Sequence, residues 1–109
     1  MPRRKPKRRA EAGVLSGFAW YDHAQYQRLL GVADDRDELD DTFDDWHRVA
    51  LRALKEFSRQ GFAVQKVLVD VEELVLWCKE QGYKNDSEAR TRYVLMRMKR
   101  FHEETKLQG

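Results

Sequence analysis

A chain of 109 residues and 13.0 kDa has room for one small domain. With 37% charged and 41% hydrophobic residues it reads as a globular body with a modest core, and no apolar run approaches the ~18 residues of a membrane span. The basic N-terminus is not followed by the apolar stretch of a signal peptide. The single Cys78 excludes an internal disulfide and points to a reducing, cytoplasmic setting.

The formal net charge of +2 conceals a strong separation. Residues 1–10 hold Arg3, Arg4, Lys5, Lys7, Arg8 and Arg9 with no acid; setting these six aside leaves 15 basic against 19 acidic residues, a net charge of −4. Much of the negative charge lies in residues 34–45, where Asp34, Asp35, Asp37, Glu38, Asp40, Asp41, Asp44 and Asp45 face a lone Arg36. The sequence therefore describes a cationic arm on an acidic body.

In chain order, residues 1–13 carry both prolines, six basic residues and almost nothing apolar. Such a composition cannot offset its ordering entropy, and this arm is expected to be disordered. Residues 14–103 are expected to form a single globular domain and residues 104–109 a frayed tail. Residues 14–21 are apolar and aromatic, with Phe18 and Trp20 on one side of an alternation, which fits a strand or an extended lead-in. Asp22 reads as an N-cap, with Gln25 completing a capping box, for a short helix that carries Tyr26, Leu29 and Leu30 and stops at Gly31. The acidic residues 34–41 read as a loop. Thr42 caps the most regular helix, whose Phe43, Trp46, Val49, Ala50, Ala53, Leu54 and Phe57 form one stripe ending at Gln60-Gly61. Asp44 and Asp45 in its first turn and Arg59 in its last suit the helix dipole.

Residues 62–69 are rich in β-branched side chains and bounded by Gly61 and Asp70, which predicts a strand. A strand needs a mate for its backbone groups. The internal option is residues 14–21, and the external one is the same strand of a second subunit. Asp70 caps the next helix with Glu73 at its third position, and Gly82 closes it. Asn85 with Glu88 offers a capping box for a last helix running to about Phe101. The fold class is α+β and mostly helical: four helices with a minimal two-stranded sheet, in the order β-α-α-β-α-α, the first strand being the open assignment.

The last two helices carry more apolar positions than one small core needs. Val71, Leu74, Val75 and Cys78 share a face, while Leu76 and Trp77 point elsewhere; Trp46 and Trp77 are both expected to be buried. In the final helix Val94, Met98 and Phe101 form one stripe, and Ala89, Tyr93 and Met96 form another on the opposite side. A helix that is apolar on two sides is sandwiched or has a partner. The expected interface, to a protein partner or in a homodimer, is Leu76, Ala89, Tyr93, Met96 and Arg100. The alternative is a helix sandwiched within its own chain.

Several runs together carry a family resemblance. They are Trp20-Tyr21 before Tyr26-x-x-Leu29-Leu30, the acidic loop before Phe43-x-x-Trp46, Gln60-Gly61 before the strand, Glu73-Leu74-x-x-Trp77-Cys78, and Ala89-Arg90. Over residues 20–93 the chain resembles a family of small uncharacterised bacterial proteins. The shared motifs are structural, so the resemblance implies a fold and carries no catalytic residue across. The basic arm and residues 94–109 lie outside it.

Six cations at positions 3–9 form a polycation that would release counterions on meeting phosphates. Arg48, Arg52, Lys55 and Arg59 lie within about 60° on the helix face opposite the core stripe, at 100° per residue. That ridge could track a phosphate backbone or be a solvated face, with Asp44 four residues before Arg48 and Glu56 four after Arg52. The acidic loop fits an EF-hand poorly, lacking the glycine at the sixth position; it reads as a solvated loop, or one that transiently holds the basic arm. His23, His47 and His102 are widely spaced and form no metal-ligand pattern with Cys78, so no metal or cofactor is expected. His47 borders the core stripe. No phosphate-cradling loop, nucleophile elbow or zinc signature appears. The expectation is a small non-enzymatic bacterial accessory protein whose arm contacts nucleic acid or a nucleoprotein and whose body docks on a protein. The alternative is an acidic adaptor or inhibitor, of the kind a mobile element could encode, that masks a basic surface.

Overall fold

The computed structural model describes residues 15–108, with side chains described from residue 17 to residue 103. The elements are β1 (Leu15–Trp20), α1 (His23–Val32), a single 3-10 turn (Arg36–Glu38), α2 (Phe43–Arg59), β2 (Ala63–Leu68), α3 (Val71–Gln81) and α4 (Ser87–Gln108). This is the mostly helical α+β order expected. The residues 1–13 expected to be disordered lie outside the described residues. At the other end α4 extends to Gln108, past the end expected at about Phe101.

The helix starts lie where short polar side chains can accept the first free amides. Asp22 accepts from the Gln25 amide at 2.8 Å, Thr42 from that of Asp45 at 3.1 Å, and Asp70 from those of Glu72 and Glu73. The expected capping boxes do not close, because their third-position side chains are used elsewhere. Gln25 Oε1 accepts from the Val71 amide at 2.8 Å, so α1 caps the start of α3. The Glu73 carboxylate accepts from the Tyr93 hydroxyl and from Arg100. In α4 the cap is Asp86, which accepts from the Ala89 amide at 2.9 Å, and Asn85 is turned inward. Gly31 does not stop α1, which runs on to Val32. Gly82 closes α3 at φ 77°, in the left-handed region that a side chain disfavours.

The two strands pair with each other, in parallel, with Trp20 opposite Leu68 and Phe18 opposite Lys66. A parallel pair needs a long crossover, and here α1, the 3-10 turn and α2 supply it. One sheet face meets α2: the Trp20 ring lies 5.1 Å from Trp46 and 5.7 Å from His47, and Phe18 lies 6.3 Å from Phe57. The other face meets α4 at Gly17, where a Cβ would fall 2.6 Å from Val94 Cγ1 and closer still to Met98 Sδ. Glycine is required there by close packing.

The core joins Tyr21, Tyr26, Leu29, Val69, Val71, Leu74, Tyr93 and Val94, with Trp46 and Trp77 partly buried against it. Trp46 and Trp77 are thus half-buried, short of the burial expected, and Val49 and Phe57 on the α2 stripe remain exposed. A helix lying on a narrow two-stranded sheet can cover only part of its stripe.

The larger correction concerns α4. The stripe expected to face a partner is internal: Ala89 and Tyr93 are buried, and Met96 packs against the core. Tyr93 packs against Trp77 of α3 at 5.7 Å, while Val94 and Met98 press on β1 from the other stripe. The helix is sandwiched inside one chain, between sheet and α3. Of the five residues expected at an interface, Leu76 and Arg100 are exposed, and Arg100 reaches Glu73 at 3.4 Å.

Candidate functional site

Between the two inward stripes of α4 stands Arg90. Its Nη1 donates to the Asn85 carbonyl at 3.1 Å and to Asn85 Oδ1 at 3.0 Å, and its Nη2 donates to Asp35 Oδ2 at 2.7 Å. The paired side chains of Arg90 and Asp35 keep only 8% and 10% of their exposure. The adjacent backbone is tied in the same knot: the Asp34 amide donates to the Asn85 carbonyl at 2.9 Å, and the Asn85 amide returns to Asp34 Oδ2 at 2.7 Å. Burial alone would raise the Asp35 carboxyl, but the hydrogen bond and charge of Arg90 outweigh it and hold the group below its usual value. Tyr21 nearby is pushed up to about 12 by burial, against an opposing pull from Arg90. The acidic segment is therefore not a free solvated loop. Its first two aspartates lock it to the start of α4.

Along the side of β1 lies a cleft of about 310 Å³, floored by Gly17, Phe18 and Ala19 of that strand. Leu39 and Trp46 line one side, and Thr91, Val94 and Leu95 of α4 line the other. Its volume is at the lower end of the ~300–1,000 Å³ of ordinary ligand sites. Arg90 and Ser87 close one end, and Ser87 also borders a second recess of about 350 Å³. That recess is lined by Asp34, Asp35, Glu38, Asp86 and Glu88 with Lys84, the charge of Asp35 being paired with Arg90 and that of Glu88 with Arg92. The cleft and the acidic recess thus meet at Ser87.

The sequence-predicted sites fall in three places. Arg3, Arg4, Lys5, Lys7, Arg8 and Arg9 lie outside the described residues. Arg48, Arg52, Lys55 and Arg59 are all exposed on α2. Arg48 pairs with Asp45 and Arg59 with Glu56, each three residues away, in place of the four-residue pairs expected. Arg52 and Lys55 make no ion pair with a described residue. Leu76 is 60% exposed beside Val32, on a shallow apolar surface between α1 and α3. The ridge, the Leu76 surface and the cleft are not drawn into one pocket.

For chemistry, burial raises the Cys78 thiol, which suits inert packing. His47 is half-buried against Phe43 and Trp20, as its place beside the core stripe implies, and His23 and His102 are exposed. Among the described residues no group of three His, Cys, Asp or Glu could hold a metal ion, and no helix is long and apolar enough to cross a membrane. No family model, curated protein or solved structure matches the chain. The family resemblance over residues 20–93 rests on its motifs alone.

The residues that sequence reasoning missed are Asn85, Asp35 and the inward role of Arg90. A signal was present: Arg90 and Arg97 lie between two apolar stripes, an arc that a sandwiched helix must bury. Cations there need acidic partners, and residues 34–45 hold eight.

Proposed function

We propose that the protein works by binding, its basic N-terminal residues contacting nucleic acid or a nucleoprotein and its body docking on a protein partner. The observation that carries this reading is the charge separation: six cations within residues 3–9, against a remainder at −4. A polycation of that density binds phosphate backbones through counterion release, with little regard to sequence. Arg52 and Lys55 on the exposed face of α2 supply a second, weaker strip of positive charge.

The test is a mobility-shift titration of the full chain against generic duplex DNA and RNA at several salt concentrations. The log–log salt slope is expected between zero and about −5, since six charges set the ceiling. Replacing the six arm cations by Gln should remove the shift and leave the helical circular dichroism unchanged. Binding that survives the replacement moves the contact to the α2 ridge; no binding even at low salt ends the nucleic-acid reading.

A second reading, an acidic adaptor that masks a basic surface, is favoured by one feature: the recess where Asp34, Glu38 and Asp86 stand without an ion pair to a described residue. It requires a protein complex that nuclease leaves intact and salt dissolves.

A further inference from the structure

We propose that the cleft beside β1 docks one extended segment of a partner protein, which joins the sheet as a third strand and sets basic residues against the acidic recess. This rests on the protein-docking half of the reading above and is independent of its nucleic-acid half.

The backbone supplies the first argument. The Val69 amide donates to the Trp20 carbonyl at 2.9 Å, so Trp20 turns its backbone groups towards β2. Along a strand these directions alternate. Phe18 therefore faces β2 as well, while the amides and carbonyls of Gly17 and Ala19 face the cleft. Among the described residues these outward groups have no hydrogen-bond partner. An open strand edge of this kind is a template for a further strand.

The walls supply the second. An added strand sends alternate side chains to opposite faces. Here one face would meet Leu39 and Trp46 and the other Val94 and Leu95, of which Leu95 is 57% exposed. A second copy of this chain fits poorly. Its own β1 edge lies between its own α2 and α4, and two such walled edges cannot enter each other. A single extended segment has no flanking helices and can.

Charge supplies the third. The cleft meets, at Ser87, a recess where Asp34, Glu38 and Asp86 make no ion pair with a described residue, beside Asp35 and Glu88, whose charges Arg90 and Arg92 already offset. A segment that continues past the apolar walls meets carboxylates, so its end should carry lysine or arginine.

The probes are eight-residue peptides of alternating Val and Thr, one with two lysines at its N-terminus, one with them at its C-terminus, and one with glutamates in their place. They are titrated calorimetrically into the full chain, and amide hydrogen exchange is followed at Gly17 and Ala19. The expected result is saturable binding of at least one lysine peptide, with both amides protected on binding. The glutamate peptide should bind about tenfold or more weakly. Leu95→Lys, at an exposed position that leaves the fold intact, should weaken the lysine peptide by a similar factor. Four results overturn the proposal: no binding by either lysine peptide, binding without protection of Gly17 and Ala19, equal binding of the glutamate peptide, or indifference to Leu95→Lys. Binding that appears only once the six arm cations are replaced by Gln also overturns the partner assignment, since the chain's own N-terminal residues would then be the occupant. A chain that binds the lysine peptide as expected but shifts no DNA or RNA upholds the cleft and overturns only the nucleic-acid reading.

Discussion

At Arg90 a charge is held inside a body with little room for one. Removing two ions from water costs several kcal/mol each, and a single good contact repays that only when the remaining donors and acceptors are also used. Here Asp35 Oδ1 and Asn85 Nδ2 stay buried without a hydrogen-bond partner among the described residues. The pair therefore specifies where the 34–41 segment lies more than it stabilises the fold. Arg90→Met alone should cost about 3–5 kcal/mol, because it strands the Asp35 carboxylate. Adding Asp35→Leu should recover much of that loss in urea unfolding. The pH dependence follows from the same pair. A carboxyl whose folded pKa is depressed contributes stability above its unfolded value, near 4, and loses it as pH falls through the folded value. Acid unfolding of the native chain should steepen below about pH 4, and the double variant should show a shallower slope there. The tyrosines act at the other extreme. Tyr21 and Tyr93 are pushed up to about 12, mainly by burial, and Glu73 adds to this by accepting from the Tyr93 hydroxyl. Raised folded values mean that stability is complete below about pH 10 and falls as pH rises towards 12. Two phenolate absorbance changes should then coincide with loss of helical signal.

At the scale of the element, what could be read from sequence was what is local. The Asp22, Thr42 and Asp70 caps need only a side chain and the amides two or three residues on, and all three form. The reciprocal half of each capping box was not legible, because its occupant is chosen by tertiary neighbours. Gln25 spans to Val71, 46 residues away in sequence. The α4 stripes show the same limit. Their positions are right, but their exposure depends on what lies across from them. Arg97, on the arc between the two stripes, donates to the Tyr93 hydroxyl at 3.1 Å and to the Leu68 carbonyl at 3.2 Å. The contact of β1 with α4 was invisible too, since a glycine in a short strand gives no sign of the helix above it. That contact gives a prediction. Gly17→Val should destabilise by about 1–3 kcal/mol or more through overpacking. Combined with Met98→Ala, which frees space at the collision, its cost should be smaller than the sum of the two single losses in denaturant unfolding.

At the scale of the whole molecule, charge is the property the sequence declares most openly and the fold then organises. The acids that make the body negative are not spread evenly: Asp34, Asp35, Glu38, Asp86 and Glu88 converge on one recess from two distant stretches of chain. A recess of that sign attracts any cation within a Debye length, about 8 Å at physiological salt, and the most concentrated cations are those of residues 3–9 on the same chain. Phosphates and carboxylates would compete for them, so the acidic body should weaken polyanion binding. Glu38 and Glu88 allow a clean test. Both are exposed, and neither caps a helix or joins the Arg90 knot; Glu88 holds only the surface pair with Arg92. Such surface pairs contribute roughly 0–1 kcal/mol, so Glu38→Gln with Glu88→Gln should leave the unfolding midpoint nearly unchanged. The same substitutions should raise affinity for generic DNA several-fold at low salt, in the titration that measures the salt slope. The gain should fade as ionic strength rises and vanish in the chain whose arm cations are replaced by Gln. A gain that persists in that chain would mean that the carboxylates repel the phosphates directly and that the competition is not with the arm.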